Sequence, residues 1–300
     1  MALNSISLTL SVPSRRWLWT LGVALFLVPG TAPAEEASRI VSIGGAVTEI
    51  LYQLGVEDRV AAIDTTSIYP LDALKTKPNV GYLRAISAEG VLGMAPDLII
   101  MEEGAGPPEA VSLLDQAKIK VVHVPSGHKL GELSNKIRDV AAAVGKAEEG
   151  AEIAAKVDSD LETLKADLSA VTTKKRILFV LSLVDGRPMA AGTDTAANGI
   201  IELAGAENVF AEVKGYKTIS PEAATALQPD VILMITRGGP MHGGEDVLKQ
   251  PAFAETPAGK NGGFILMDAL YLLGYGPRTA EAARDLAARL YPDLGLAAAK

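Results

Sequence analysis

The sequence predicts an α/β fold of two Rossmann-like lobes with parallel-rich sheets, joined by one long linker helix. Three observations predict it. Short apolar runs alternate with helical segments between residues 39 and 144, and the alternation starts again after residue 175. A long helical segment separates the two halves. A 15-residue segment of the first half also aligns without gaps with a segment of the second half, 133 residues later.

The first half contains four predicted strands, "RIVSIGG", "RVAAID", "DLIIM" and "KVVHV". The helical segments between and after them are residues 46–54, 89–94, 110–116 and 130–144. Continuous β-branched runs between helices are typical of a parallel sheet that is covered on both faces.

Residues 147–171 predict a single helix with one apolar stripe. Apolar side chains recur at steps of three and four residues, and charged side chains cover the other faces. The stripe consists of Ile153, Val157, Leu161, Leu164 and Leu168. At about 1.5 Å per residue the helix would be roughly 37 Å long, so it could run along both halves of the protein.

The second half repeats the alternation, with strands "RILFVLSL", "DVILMI" and "GFILMD", and helices over residues 196–204 and 279–290. A glycine-rich loop, "TRGGPMHGG", follows the second of these strands. The predicted division is a signal peptide at residues 1–34, an N-terminal lobe at 35–145, the linker helix at 146–172 and a C-terminal lobe at 173–300.

The repeated phrase is "ISAEGVLGMAPDLII" in the first half and "ISPEAATALQPDVIL" in the second. Ser87 and Ser220 are expected to cap a helix, and Glu89 and Glu222 then lie in its first turn, at the positive end of the helix dipole. Pro-Asp ends each helix before a buried strand. A Gly-Tyr pair precedes both copies. The repeat therefore predicts two lobes of one architecture.

The first 34 residues predict a secretory signal peptide. Arg15 and Arg16 precede an apolar run over residues 17–28, and "TAPA" places an Ala-x-Ala cleavage site at Ala34. The run is too short to span a membrane. General secretion is favoured over the twin-arginine route, and an uncleaved anchor is the alternative.

The remaining chain has 26 basic and 36 acidic residues, which argues against nucleic acid and anionic lipid as partners. It has no cysteine, so disulfides, thiolate metal sites and a lipid-modified cysteine are excluded. We therefore expect a soluble protein of the Gram-negative periplasm, with export into the medium as the alternative.

The sequence contains no motif of an enzyme active site. It lacks a nucleophile elbow, a phosphate loop, a dinucleotide fingerprint and a His-Glu-x-x-His helix, so we predict that the protein is not an enzyme. Its histidines are His123, His128 and His242. His123 lies in an apolar strand and is expected in the core. Metal-ligand spacing is absent, although His123 or His128 could supply one or two ligands.

Tyr82 and Arg84 form the candidate ligand site. A tyrosine phenolate is a hard anionic donor suited to ferric iron, and tyrosine is a known axial ligand of haem. In an extended segment their spacing places both side chains on one face, where the guanidinium could hydrogen-bond the phenolate. The alternative, which residue chemistry alone favours, is a tyrosine packed at a lobe surface beside a solvated arginine.

Three segments, "VGYLRAISAEGVLGMAPDLII", "GYKTISPEAATALQPDVIL" and "LLGYGPRTAEAARDLAARLYP", closely resemble the haem-binding periplasmic proteins that feed bacterial ABC importers. These proteins are a branch of the helical-backbone substrate-binding proteins, which also bind ferric siderophores and cobalamin. The resemblance covers essentially the whole chain after the signal peptide, and Gly-Tyr-x-Arg before the first repeat marks the haem branch.

The resemblance implies a role for each matching residue. Tyr82 would be the axial ligand of ferric haem, and Arg84 would hold it as the phenolate or meet a propionate. Arg237 would close over the cleft from the C-terminal lobe. Glu89 and Glu222 would dock the lobes onto an ABC permease, although their place at helix starts explains them equally well.

Some members of this family hold two stacked haems with a histidine in the loop after the strand "ILFVLSL". This chain has "VDGRPMAAGTDTAANG" there, without histidine, so we expect one haem, with Met189 as a conceivable weak ligand. The implied partners are an inner-membrane permease and ATPase, with an outer-membrane haem receptor upstream, and the protein is expected to be a monomer. The alternatives are a siderophore or cobalamin receptor and, more distantly, a periplasmic enzyme or chaperone.

Overall fold

The computed structural model describes Met1 and residues 36–128, 131–236 and 243–296. All the helices and strands below belong to the unit that begins at Glu36. They form two α/β halves with parallel-rich sheets, which confirms the predicted fold class.

The N-terminal half is built on a four-stranded sheet of order β2-β1-β5-β6, in which every pair of neighbours is parallel. Its elements are β1 (Ile40–Ile43), α1 (Gly45–Gln53), β2 (Val60–Ile63), α2 (Ala73–Thr76), β3 (Gly81–Tyr82), β4 (Ala85–Ile86), α3 (Ala88–Gly93), β5 (Leu98–Glu102), α4 (Pro108–Asp115), β6 (Lys120–Val124) and α5 (Glu132–Ala143). Helices cover both faces, so β1 and most of β5 are fully buried, as their continuous apolar runs predict.

The C-terminal half has a sheet of order β10-β8-β7-β11-β12, with β9 paired to β7. Its elements, after the linker helix α6, are β7 (Arg176–Val184), β8 (Arg187–Ala191), α7 (Ala196–Leu203), β9 (Glu207–Asn208), β10 (Tyr216–Thr218), α8 (Pro221–Ala226), β11 (Val231–Thr236), α9 (Gly244–Leu248), α10 (Pro257–Asn261), β12 (Phe264–Asp268), α11 (Ala269–Leu273) and α12 (Thr279–Leu290). Strands β7, β11 and β12 are parallel, whereas β8 and β10 are antiparallel additions at one side.

The segment after β7, interpreted from the sequence as a loop, is partly a strand. β7 and β8 form a hairpin whose turn is Asp185 and Gly186, with φ of 51° and 71°. An Asp-Gly pair with both φ values positive is the preferred chemistry of a two-residue hairpin turn. Met189 therefore lies within β8, between β7 and β10, and is not in a loop.

The linker helix α6 runs from Ala147 to Asp167, about 31 Å, and a short 3₁₀ turn over Leu168–Ala170 ends it. It is therefore shorter than the predicted helix. Val157 and Leu161 are buried in the apolar core of the N-terminal half, and Leu164 is buried in a core of the C-terminal half. The apolar stripe of α6 is thus buried in the cores of both halves, as predicted. No helix in the described part of the chain is long and apolar enough to cross a membrane.

Candidate functional site

A cleft of about 630 Å³ lies between the two halves. In the N-terminal half its walls are the segments that follow β1, β2, β5 and β6 and the β3–β4 hairpin. In the C-terminal half they are the segments that follow β8 and β12, with Tyr216 of β10 and Ile235 of β11. In open α/β sheets, ligands bind outside the carboxyl ends of the strands, and this cleft has such ends on both sides. Apolar side chains that line it include Ile68, Leu83, Ile235, Leu270 and Leu273.

Tyr82 reaches the cleft from the tip of a small hairpin. β3 pairs with β4 through Gly81↔Ile86 and Tyr82↔Ala85, which leaves Leu83 and Arg84 as the two-residue turn. Gly81 has φ of 105°, a conformation that side-chain-bearing residues rarely adopt. The Tyr82 side chain lines the cleft and is 47% exposed, so its phenol is available to a ligand.

The expectation that Tyr82 and Arg84 lie on one face of an extended segment is wrong, because the backbone reverses between them. Hydrogen bonds to Gly106 hold the turn: its N–H donates to Leu83 O (2.9 Å), and its carbonyl accepts from Ile86 N (2.8 Å). Arg84 is exposed and also lines the cleft. Within the described structure, no hydrogen bond joins its side chain to Tyr82.

Tyr216 lies on the opposite wall and was given no role by the sequence reasoning. It begins β10, pairs with Ala191 of β8, lines the cleft and is 41% exposed. The signal that could have identified it was the second Gly-Tyr of the repeat, in which Gly215 has φ of 74°. Each half thus contributes one partly exposed phenol to the cleft.

A buried ion pair connects the N-terminal wall of the cleft, which includes Glu102 and Ser126, to α5. Lys136 of α5 is fully buried, and its Nζ donates to Glu102 Oε1 (2.6 Å) and to Ser126 O (2.5 Å). Burial raises the pKa of Glu102, and the charge and hydrogen bond of Lys136 oppose that rise. The same Nζ also donates to the carbonyl of Tyr275 in the C-terminal half, at 3.2 Å.

The two described histidines have different surroundings. His123 is exposed and its Nε2 lies 2.7 Å from Asp115 Oδ1, which corrects the expectation of a core histidine. The reason is that β6 is an edge strand, so the side chain can turn to solvent. His128 lines the cleft, with Nε2 at 3.7 Å from Asp194 Oδ1. His242 lies outside the described residues.

The described residues include no group of three or more histidine or acidic side chains that could hold a metal ion. Arg237 also lies outside the described residues. Met189 is not among the described residues that line the cleft.

The two halves are joined beneath the cleft by Arg278, at the start of α12. Its Nε and Nη2 donate to Glu49 Oε1 (2.9 Å) and Oε2 (2.8 Å), and its guanidinium lies 3.5 Å from the centroid of the Tyr69 ring. Burial lowers the pKa of Arg278, but the hydrogen bond and charge of Glu49 outweigh it and leave that pKa raised. Arg278 lies in "GYGPRT", and no local pattern in that segment predicts an interlobe contact.

Glu89 and Glu222 lie away from the cleft, each exposed in the first turn of a short helix. The serines that precede them cap α3 and α8, as predicted. Hydrogen bonds from its own amide and from Ser220 lower the pKa of Glu222, so this carboxylate is held in its charged form.

Comparisons with known proteins agree with this geometry. The solved structure of the periplasmic heme-binding protein RhuT from Roseiflexus sp. RS-1, in its apo form, is 37% identical with a TM-score of 0.80. That similarity covers 86% of this chain and 99% of RhuT.

Two curated relatives are more distant. An uncharacterized ABC transporter substrate-binding lipoprotein, YvrC of Bacillus subtilis (strain 168), is 27% identical over 86% of this chain and 82% of its own length. A vitamin B12-binding protein of Yersinia pseudotuberculosis serotype O:1b (strain IP 31758) is 25% identical over 71% of this chain and 74% of its own length.

A family model described as "Periplasmic binding protein" matches residues 40–271, well over half of the chain. The match identifies a binding protein and not an enzyme, as the sequence predicts. The chain therefore belongs to the periplasmic binding protein family.

Proposed function

We propose that this protein captures ferric haem in the cleft through the Tyr82 phenolate and delivers it to an ABC permease for haem and iron uptake. The observation that carries the proposal is Tyr82 itself, a half-exposed phenol on a hairpin tip that faces an interlobe cleft. The 37% identity to a heme-binding protein over nearly all of that protein's length supports haem as the cargo.

The chemistry of the cleft suits this cargo. The porphyrin faces are apolar, and apolar side chains from both halves line the cleft. The phenolate of Tyr82 would bind the ferric iron. Among the described residues that line the cleft, Arg84 is the one arginine or lysine, so it can meet a propionate or the phenolate oxygen. Arg237 would add a second cation from the C-terminal lobe.

Delivery requires the partner to recognise the protein from outside the cleft. Glu89 and Glu222 are exposed, one on each half, and would bind cationic side chains of the permease. One such glutamate on each lobe would let a permease contact both lobes. Separation of the lobes would then release the haem. The similarity to an ABC transporter substrate-binding lipoprotein supports such a partner.

The cellular setting is part of the same proposal. The signal peptide at residues 1–34 would be removed near Ala34, which leaves lobes at 35–145 and 173–300 around the linker at 146–172. The mature protein would be a monomer in the Gram-negative periplasm, supplied by an outer-membrane haem receptor and unloaded by the inner-membrane permease.

A second candidate is cobalamin, favoured by the similarity to the vitamin B12-binding protein of Yersinia pseudotuberculosis. The two ligands differ in what they require of Tyr82. Haem needs an anionic axial donor to its ferric iron, whereas a cobalamin corrinoid would need only apolar and hydrogen-bonding walls.

An absorption titration of the mature protein with hemin tests the proposal, with cyanocobalamin as the competing ligand. We expect a Soret band that saturates at one equivalent of hemin, is lost in Tyr82→Ala and is unaffected by cyanocobalamin. Absence of any spectral change with hemin, or displacement of hemin by cyanocobalamin, contradicts the haem proposal.

A further inference from the structure

The two lobes are joined beneath the cleft by contacts that do not involve the linker helix. Arg278 belongs to the C-terminal half, and Glu49 and Tyr69, which it contacts, belong to the N-terminal half. The backbone N–H of Arg278 adds a hydrogen bond to Glu49 Oε1, at 3.3 Å. The pair is bidentate, and a tyrosine ring is stacked on its guanidinium. Glu49 is buried, at 5% exposure, and Arg278 is partly buried, at 22%.

A second contact comes from the same short segment between α11 and α12. The carbonyl of Tyr275 accepts a hydrogen bond from the fully buried Lys136 Nζ, at 3.2 Å. Tyr275 has φ of 50°, a conformation that is uncommon for any residue other than glycine, and its Oη donates to Ala196 O (3.1 Å). Residues 275–278 therefore bind the N-terminal lobe through both a backbone and a side-chain group.

The backbones also approach closely here. A Cβ added at Gly276 would lie 3.4 Å from the carboxyl carbon of Glu49, in ordinary van der Waals contact. A Cβ added at Gly45 would lie only 2.6 Å from a methyl carbon of Leu270, in the other lobe, and Gly45 and Leu270 both line the cleft. The lobes are thus in van der Waals contact beside Arg278 and Glu49.

We propose that Arg278 is a positioning residue that fixes the two lobes at the floor of the cleft, so that the cleft is preformed before any ligand enters. We define the clamp as Glu49, Tyr69 and Arg278, and each of these residues lies in or next to a segment that lines the cleft. Ala46 lies one helical turn from Glu49, Ile68 precedes Tyr69, and Gly274 lies four residues before Arg278.

The energetics favour a fixed contact over one that opens in each transport cycle. Separating a buried ion pair leaves an uncompensated charge in the protein, which is strongly unfavourable. The linker helix has side chains buried in the cores of both halves, and a second anchorage away from that helix further restricts rotation of the lobes. Lobe motion therefore pivots near the clamp, and the walls that carry Tyr82 and Tyr216 move apart only at the mouth of the cleft.

The inference concerns the unliganded protein, so it can be tested apart from the proposed function. Because the chain has no cysteine, two introduced cysteines can carry spin labels without further changes. Ser112→Cys on α4 and Glu245→Cys on α9 are exposed positions, one in each lobe and outside the cleft. Electron paramagnetic resonance then gives the distribution of interlobe distances in the mature protein.

Arg278→Gln and Glu49→Gln are expected to broaden that distribution, and Arg278→Lys to broaden it less. The matched control is Arg176→Gln, which breaks an arginine–glutamate pair (Nη1 to Glu207 Oε1, 3.1 Å) that lies wholly within the C-terminal half. The control should keep the narrow distribution of the unchanged protein.

Hemin release gives a second readout, which a purely structural role would not change. We expect the dissociation rate of hemin to rise about tenfold in Arg278→Gln. A cleft that is not preformed must give up conformational freedom when it binds hemin, which lowers its affinity. An unchanged distance distribution in folded Arg278→Gln overturns the inference. If circular dichroism shows that this variant does not fold, Arg278→Lys and Glu49→Gln decide by the same distance measurement.

Discussion

Glu89 and Glu222 occupy the same position in two helices that begin in the same way. Ser87 Oγ accepts a hydrogen bond from Gly90 N at 3.1 Å, and Ser220 Oγ accepts one from Ala223 N at 3.2 Å. Each glutamate follows its capping serine by two residues and is exposed. The chain thus presents one equivalent carboxylate on each lobe.

We expect the double variant Glu89→Ala, Glu222→Ala to bind hemin with unchanged affinity but to lose its stimulation of the permease ATPase. The carboxylates lie outside the cleft, so their removal affects only recognition by the partner. Hemin titration and ATPase activity with the reconstituted permease measure the two effects.

Glu109→Ala is the matched control, because Glu109 is an exposed acid in the first turn of α4 without a counterpart in the repeat. Full stimulation by the double variant would show that the paired glutamates do not serve docking.

Tyr82→Phe is expected to abolish the absorption bands of tyrosinate-ligated haem, because it removes the donor oxygen and keeps the ring. Tyr216→Phe is the matched control on the opposite wall and should keep those bands. The Tyr82 side chain is partly exposed, so Tyr82→Phe should change the free energy of unfolding by no more than about 0.5 kcal/mol. Ligation that survives in Tyr82→Phe and disappears in Tyr216→Phe would move the iron ligand to the C-terminal lobe.

Gly150→Ala should destabilise the protein although alanine is the better helix former. Gly150 lies in α6, where an added Cβ would overlap the Cβ of Ala141 in α5. Overpacking of this kind costs about 1–3 kcal/mol, more than the roughly 1 kcal/mol that alanine gains over glycine in a helix.

Urea denaturation measures the difference in the free energy of unfolding between Gly150→Ala and the unchanged protein. Gly93→Ala in α3 is the control, because an added Cβ there would meet nothing within 4 Å, and it should leave the free energy of unfolding unchanged or slightly higher. A Gly150→Ala variant as stable as the unchanged protein would mean that α5 and α6 can separate at little cost.

The contribution of Asp97 to stability should be lost at acidic pH. Burial alone would raise the pKa of Asp97, but hydrogen bonds from Ser38 N, Ser38 Oγ and Arg39 N outweigh it and lower that pKa. A carboxylate whose pKa is lowered by folding stabilises the protein at pH values above its ordinary pKa of 3.8. This stabilisation disappears as the pH falls through the pKa of the folded state.

Asp97→Asn should therefore be less stable than the unchanged protein at neutral pH, and the difference should shrink below about pH 4. The midpoints of urea unfolding, measured for both proteins across this pH range, give the difference in stability. Glu109→Gln controls for the change in net charge. A difference that stays constant with pH would exclude the charge of Asp97 as its cause.

The sequence by itself determined the features that rest on local patterns. The serine caps at Ser87 and Ser220, the buried parallel strands and the apolar stripe of the linker helix all follow from side-chain chemistry within a few residues, so they could be predicted. The resemblance to haem-binding proteins singled out Tyr82, and the structure places its phenol in a cleft.

Only the tertiary structure decided the features that depend on distant partners. Arg84 lies in a turn because β3 pairs with β4, and His123 is exposed because β6 has no neighbour on one side. The clamp joins Arg278 to Glu49 across 229 positions of sequence. No local pattern encodes such a contact, because it forms only where the two halves of the fold meet beside the cleft.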